Sequence, residues 1–400
     1  MPGAMTETIT PADHNAIRDR AAIVGIGETE FSWDSGKSEL QLASEAIKNA
    51  CDDAGISPHD IDGMVRYDSD NNTETMLVQA LGIKTLRHWE SIAFGGGAGN
   101  ATVGHAAAAI AAGYCNYAVC FRAGNLRSNV RLGQARGPER IPGGSRSFLV
   151  PWGAMAPAHN FGMFVRRYMH QYGATSRDFG WVAVTLRHHA SRNPRALRRK
   201  PITIEDHQRS RMVADPLRLL DFCQENDGAA AIVMTTPERA RDLRHSKTLV
   251  LVEAAAQGSG PSIDGVVFRP DLAVAESAHT ARDLWSRARL TAKDMDAFMF
   301  YDHFTPFCLL GLEAYGFVPF GEARDFVQGG DNIRFDGILP TNTHGGNHSE
   351  AYIHGLTHPQ EAVRLIRGTS TAQPPKKQIN RVLSCSSTAQ LSAAVIIRRG

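Results

Sequence analysis

The segment GISPHDIDGMVRYD (55–68) recurs as RLTAKDMDAFMFYD (289–302), at a constant separation of 234 positions. The shared pattern is D-[IM]-D-[GA]-x-[VM]-x-Y-D, and a helical stretch of similar pattern precedes each copy, ASEAIKNACDDA and ARDLWSRAR. A repeat of this length in one register implies duplication. The 400 residues also exceed the usual size of one core. Two similar halves are the expectation.

Within the first half, AAIVGIG (21–27) is a short apolar run closed by glycine, as a buried strand would be. ELQLASEAIKNACDDAG (39–55) repeats apolar residues at helical spacing and stops on Gly55. Residues 56–68 read as a turn and a second strand, 100–113 as a helix and YAVCFRAG (117–124) as another strand. This alternation indicates a layered α/β architecture. The stretch 125–215 breaks the rhythm and reads as an inserted loop region covering the first sheet, with helical segments around RRYMHQYG (166–173) and FGWVAVTLRHHA (179–190). Strand character returns at NDGAAAIVMT (226–235), and TLVLVEAAAQGSG (248–260) opens the second half. The expected organisation is a flexible leader at 1–20, a first half at 21–245 and a second at 246–400.

A net charge of +2 offers no field for nucleic acid or an anionic membrane surface. No apolar run is long enough to span a bilayer, and MPGAMTETITPADHNAIRDR lacks a signal-peptide core. The six cysteines are scattered without CxxC or zinc spacing, as expected of reduced thiols in a cytoplasmic protein. RHHASRNPRALRRK (187–200) reads as solvated surface or, alternatively, as a local site for an anionic group such as a coenzyme A phosphate.

FGGGAGNATVGHAAAAIAAG (94–113) poses the chemical question. A glycine run feeding a helix of small residues suits the presentation of a reactive group, yet no reactive side chain stands there. The run lacks the GxGxxG spacing and acidic partner of a dinucleotide loop.

With NDGAAA (226–231) and RRYMHQYGATSRDFGWVAVTLRHHASRNP (166–194), the chain resembles the thiolase superfamily over residues 21–397, on the lipid-transfer-type branch. PITIEDHQRSR and ADPLRLLDFCQENDGAAA carry the same resemblance. It implies a thiolase-like fold of two pseudo-duplicated α/β/α halves, with the insertion in the first half. Thiolases place a nucleophilic cysteine 17 positions before a closing glycine. Here that count, from Gly113, falls on Gly96. The family's Asn-x-Ala-Phe motif reads Tyr301-Asp302-His303-Phe304, and the histidine that follows Asn342-Thr343-His344-Gly345-Gly346 in the family has become Tyr352. The last family cysteine corresponds loosely to Cys385, in LSCSSTAQ.

Loss of the thiolate removes the first requirement of acyl-enzyme chemistry. Together with AIVGIGETEFS, FYDHFTP and EAYIHG, the two tyrosines resemble the aldolases of steroid side-chain degradation. That resemblance implies retro-aldol cleavage of a steroid 17-hydroxy-20-carboxyl-CoA thioester to a 17-ketosteroid and propanoyl-CoA. It also implies a homodimeric core, a second subunit bearing a DUF35 (zinc-ribbon and OB-type) domain in an α2β2 assembly, and no cofactor beyond the coenzyme A of the substrate. Such a cleavage requires a base for the hydroxyl proton, stabilisation of the enolate and an acid for the carbon.

Tyr301 and Tyr352 are the expected acid–base pair, in either order, supported by His303 and His344. Gly96, Gly97, Gly345 and Gly346 are the expected substrate-binding positions, with backbone N–H groups available to the thioester oxygen. A free tyrosine ionises near pH ~10, so a phenolate at neutral pH costs roughly 4 kcal/mol. Asp302 and Glu350 are the nearby carboxylates, and Asp302 on a strand would point away from Tyr301. His348, His354 and His358 cluster in sequence, but nothing in the resembled chemistry calls for a metal, and none is expected. Two other readings are a thiolase-type acyltransferase using Cys385 and a non-catalytic scaffold subunit.

Overall fold

The structure, a computed structural model, describes residues 14–93, 96–129, 131, 146–260, 276–375, 377–386 and 391–400. Among them the strands are β1 (Ala22–Glu28), β2 (Gly63–Tyr67), β3 (His88–Ile92), β4 (Ala118–Asn125), β5 (Met212–Ala214), β6 (Leu217–Arg218), β7 (Asp227–Thr235), β8 (Val250–Gly258), β9 (Ala297–Phe300), β10 (Arg381–Cys385) and β11 (Ser392–Arg399). Strands β5 and β6 form a small ribbon. The other nine make one sheet in the order β3-β2-β4-β7-β1-β8-β11-β10-β9.

The repeat is written into that order. Outward from β1 come β7, β4 and β2, paired antiparallel, antiparallel and parallel. Outward from β8 come β11, β10 and β9, paired in the same senses. Among the described residues edge strand β3 has no counterpart, and β1 meets β8 through Ala22 and Leu251. The repeated segments become β2 and β9. Each is entered through a 3-10 turn closed by a capping box, Ser57 with Asp60 and Thr291 with Asp294.

Helix Glu39–Ala54 starts on a Ser38–Gln41 capping box and stops at Gly55, whose φ of 79° is left-handed. Its apolar face lies so close to β1 that a Cβ on Gly25 would come within 2.0 Å of the Ala50 carbonyl oxygen. Helix Ala98–Ala111 contacts β2 and β4 of the first half and β8 and β11 of the second. Lying between two sets of strands, it is buried on nearly every side, including Asn100, Thr102 and Val103. A Cβ on Gly104 would stand 2.9 Å from the Ala255 side chain. Small residues are what allow two layers to approach one helix. Helix Thr357–Arg367 ties the halves further: Gln360 Nε2 donates to the carbonyls of Gly27 and Ala231, and Arg364 makes a bidentate pair with Glu28 at 2.7 Å.

The inserted region lies elsewhere than the sequence suggests. Helices Pro157–Tyr172 and Ser176–Arg192 pack against the second half, sharing a core of Phe164, Tyr168, Phe179 and Leu186 with Phe298, Phe300 and Phe307. Phe164 stacks on Phe307 at 5.6 Å, and the Tyr168 hydroxyl donates to Glu313. In the first half the core under helix Glu39–Ala54 is completed instead by Leu77 and Leu81 of helix Glu74–Leu81. The leader also differs. Residues 1–13 lie outside the described residues, but 14–20 dock on the second half through Asn15 to the Glu253 carbonyl and an Asp19–Arg398 ion pair.

Candidate active site

Tyr301 follows directly on β9, and three contacts fix it. Its N–H donates to the Cys385 carbonyl at 2.9 Å. One residue earlier, Asn342 holds the Phe300 backbone with both ends of its amide, accepting from Phe300 N and donating to Phe300 O at 2.7 Å each. Asn342 has φ 44°, a left-handed conformation that asparagine tolerates better than most residues. One residue later, Asp302 points the other way, accepting from the amides of Asn347 and His348 and from His358 Nε2.

Tyr352 emerges from the turn after Gly345 and Gly346. A Cβ on Gly346 would lie 2.3 Å from the Asp302 carboxylate, and its φ is +63°. Gly345 has φ +103° and packs on Ala190. Both glycines therefore have a steric reason to be glycine. The Tyr352 N–H donates to the Asn226 side chain at 2.6 Å. Asp227, beside Asn226, accepts from Ser35, Arg127 and Ser128, so the NDG motif clasps three loops around the site.

The two phenols meet. Tyr301 Oη and Tyr352 Oη are 2.6 Å apart, buried in a small apolar cluster with Leu126 and the half-buried Cys223. Burial pushes both phenols well above the usual tyrosine range. For Tyr301 the charges of Tyr352, Tyr67 and Cys223 act in the same direction. At Tyr352 Cys223 and Tyr67 also add to the effect of burial, and the hydrogen bond from Tyr301 and the cation of Arg122 act against it.

His303 joins this pair. Its ring stacks on Tyr301 at 5.0 Å, and it lies among Phe161, Phe304 and Phe307. Burial pushes its pKa down to about 4, so it is neutral at pH 7. His344 belongs instead to a neighbouring polar cluster. It is fully buried against His358 at 4.9 Å and 3.8 Å from Glu350, and burial holds it well below the usual histidine range. Glu350 belongs to the same polar cluster, bonded to Asn193 and near Arg195, with its pKa pushed up to about 7 by burial.

Gly96 and Gly97 stand at the start of helix Ala98–Ala111, where a Cβ on Gly97 would lie 3.0 Å from backbone atoms of Leu391 and Ala393. A Cβ on Gly99 would lie 2.9 Å from the His354 carbonyl. The glycine-rich stretch therefore lets the helix end press against the segment that carries Tyr352. Cys385 contributes its carbonyl to Tyr301, while its fully buried thiol is pushed up by burial and lies beside Tyr315 and Cys308. The histidines that cluster in sequence diverge: His348 bonds the Leu220 carbonyl, His358 bonds Asp302 and His354 bonds Arg122.

That last contact belongs to a part of the site with no local signal in the sequence. Arg122 Nε donates to His354 Nδ1 at 3.1 Å, and Arg122 Nη1 donates to Asp70 at 3.0 Å. The His354 ring lies 4.8 Å from Tyr67 on one side and 4.8 Å from Tyr352 on the other. Tyr67 is the repeat mate of Tyr301, so its invariance between the two copies was the available clue.

Known proteins resemble this chain over nearly its whole length. The thiolase C-terminal domain-like family profile matches residues 259–399. The 17-hydroxy-3-oxo-4-pregnene-20-carboxyl-CoA lyase of Mycobacterium tuberculosis is 48% identical over 94% of this chain and 99% of its own. A steroid side-chain-cleaving aldolase of Thermomonospora curvata is 45% identical, over 94% of this chain and 97% of its own. The solved structure described as the Ltp2-ChsH2(DUF35) aldolase superimposes with a TM-score of 0.89 at 44% identity, covering 96% of this chain and 98% of that one.

Proposed function

Because the chain belongs to the thiolase-like steroid side-chain-cleaving aldolases, we propose that it cleaves a steroid 17-hydroxy-20-carboxyl-CoA thioester to a 17-ketosteroid and propanoyl-CoA. The observation that carries this reading is the Tyr301–Tyr352 hydroxyl pair at 2.6 Å, in a site whose glycine loop bears no thiol. The reaction needs one proton moved from the substrate hydroxyl to the carbon alpha to the thioester. The bond between the hydroxyl-bearing carbon and that α-carbon breaks, its electrons pass into the enolate, and the α-carbon takes up the proton. Atoms and charge balance without a nucleophile, metal or redox cofactor.

Two hydrogen-bonded phenols can carry that proton without a standing phenolate. One phenol accepts from the substrate hydroxyl as its own proton passes to the other, and the second delivers its proton to the carbon. Both tyrosines begin and end neutral, which avoids the ionisation cost that burial makes larger still.

A DUF35-domain subunit is the partner this reading calls for, on the strength of the aldolase whose structure it shares. A homodimeric core within an α2β2 assembly completes the proposal. Among the described residues no helix is long and apolar enough to cross a membrane, and all six cysteines are unpaired, which supports a reducing, cytoplasmic setting.

The test is propanoyl-CoA release from this thioester by the chain together with its DUF35 partner. Release that collapses in Tyr352→Phe supports the aldolase; a scaffold subunit would be indifferent to that change. No release by the folded complex would sink the reading for this substrate.

A further inference from the structure

Retro-aldol cleavage places negative charge on the thioester oxygen, and the tyrosine pair, occupied with proton transfer, does not neutralise it. We infer that His354 Nε2–H is a hydrogen-bond donor to this developing enolate oxygen, and that the Arg122–Asp70 pair is the positioning device that fixes the required tautomer. The inference rests on the aldolase reading above and adds a catalytic residue to it.

The geometry leaves His354 one arrangement. A guanidinium N–H can only donate, so Arg122 Nε at 3.1 Å requires the Nδ1 atom of His354 to be the acceptor. The ring proton then sits on Nε2. Among the described residues Nε2–H has no hydrogen-bond partner, and His354 is 8% exposed, so the donor is not sealed inside the protein. Arg122 cannot turn away, because its Nη1 is bound to Asp70, 4% exposed. Asp70 is itself held by the Ala123 amide and by the amide and side chain of Asn72.

The ring is held in place as well as in protonation state. It lies between Tyr67 and Tyr352, both 4.8 Å away, and its backbone adopts φ 48°. A strained backbone at a site residue is a common sign that position matters more than comfort. Its neighbour Gly355 has φ +80° and lies against the Tyr301 ring, where a Cβ would come within 2.6 Å. His354 is thereby built into the same wall as both phenols.

Burial, and after it the charge of Arg122, hold the imidazole well below its ordinary range. It therefore remains a neutral donor throughout the working pH range. A neutral histidine can polarise a carbonyl in this way without first giving up a proton.

The experiment compares His354→Met with His354→Gln in the complex with the DUF35 partner. Met approximates the size without a donor, whereas Gln restores an N–H. Two reactions are followed: propanoyl-CoA release from the steroid thioester, and exchange of the α-hydrogens of propanoyl-CoA in D2O. His354→Met should lower kcat and the exchange rate about 10²–10³-fold with KM little changed, and His354→Gln should recover at least tenfold of that loss. Wild-type rates in His354→Met, or equal losses in Met and Gln, would overturn the inference. If wild type itself neither cleaves nor exchanges, the aldolase reading fails instead. If the Met variant does not fold, ring ¹⁵N spectra of the wild-type complex decide: a proton on Nε2 supports the inference, and a proton on Nδ1 overturns it.

Discussion

Tyr67 and Tyr301 occupy matching positions in the two copies of the repeat, yet they lie on one run of rings. Tyr67 rests on His354, His354 on Tyr352, and Tyr352 shares a hydrogen bond with Tyr301. The duplicated strands β2 and β9, equivalent in their halves and set towards opposite ends of the nine-stranded sheet, both lead into the candidate site.

The hydroxyl pair should behave as a unit. Tyr301→Phe and Tyr352→Phe should each lower kcat by about 10²–10⁴-fold, the range of a lost acid–base group. The double variant should be no slower than the worse single one, since either change breaks the same relay. Rates that multiply in the double variant would show that the phenols act separately.

The pH–rate profile should be flat between about pH 6.5 and 9. Burial holds both phenols above the usual tyrosine range, and His303 titrates at about 4, so none of the three changes charge in between. An inflection near pH 6.5 would point to a histidine base. A tenfold rise per pH unit would point to a standing phenolate.

Stability should fall on the acid side. Burial holds His303 and His348 at about 4 and His189 at about 3, whereas an unfolded histidine takes up its proton near ~6.5. Between those values the unfolded chain binds more protons, so stability is present above pH ~6.5 and is lost as pH falls toward 4. Glu350, raised to about 7, acts in the opposite sense: its contribution is present at low pH and is lost as pH rises through 7. His344 and His354, which burial also holds well below the usual histidine range, add to the same acid-side loss. Urea midpoints at pH 7.5, 6.5 and 5.5 measure this, and a midpoint unchanged down to 5.5 would contradict it.

Asn342→Ala should loosen Tyr301 without touching it. The change leaves the buried N–H and C=O of Phe300 without their partners and removes the residue type suited to φ 44°. A loss of about 2–4 kcal/mol is expected, with kcat falling more than KM changes. Thermal unfolding and kinetics on one preparation test both parts.

Gly355→Ala should displace the Tyr301 ring, since the new Cβ would fall 2.6 Å from its Cδ2 at a φ of +80°. A destabilisation of about 1–3 kcal/mol and a loss of most activity are expected. Full activity at normal stability would mean that the Tyr301 position is not critical.

Local pattern revealed much of this. The repeat announced two halves, and the apolar runs at 21–27, 117–124, 226–235 and 248–260 became β1, β4, β7 and β8. Motif positions brought Tyr301, Tyr352 and His303 to one place. What local pattern could not carry was contact between distant segments. Arg122 and His354 are 232 positions apart, and Asn226 and Tyr352 are 126 apart. The inserted helices pack on the second half against Phe298, Phe300 and Phe307, a match of shapes with no local periodicity. His344 was expected beside the tyrosines because of its motif, but it lies against His358 and Glu350, just before the left-handed turn at Gly345.

The paired halves also explain how a symmetric scaffold came to hold an asymmetric site. In a true two-fold dimer, Tyr67 and Tyr301 would be one residue encoded once, and every change at one would appear at the other. Joined in a single chain, with β1 of one half paired to β8 of the other, the two copies were free to diverge. One tyrosine became a stacking surface for His354, and the other took up the hydrogen bond to Tyr352. Covalent fusion thus supplied the freedom to specialise that subunit symmetry withholds.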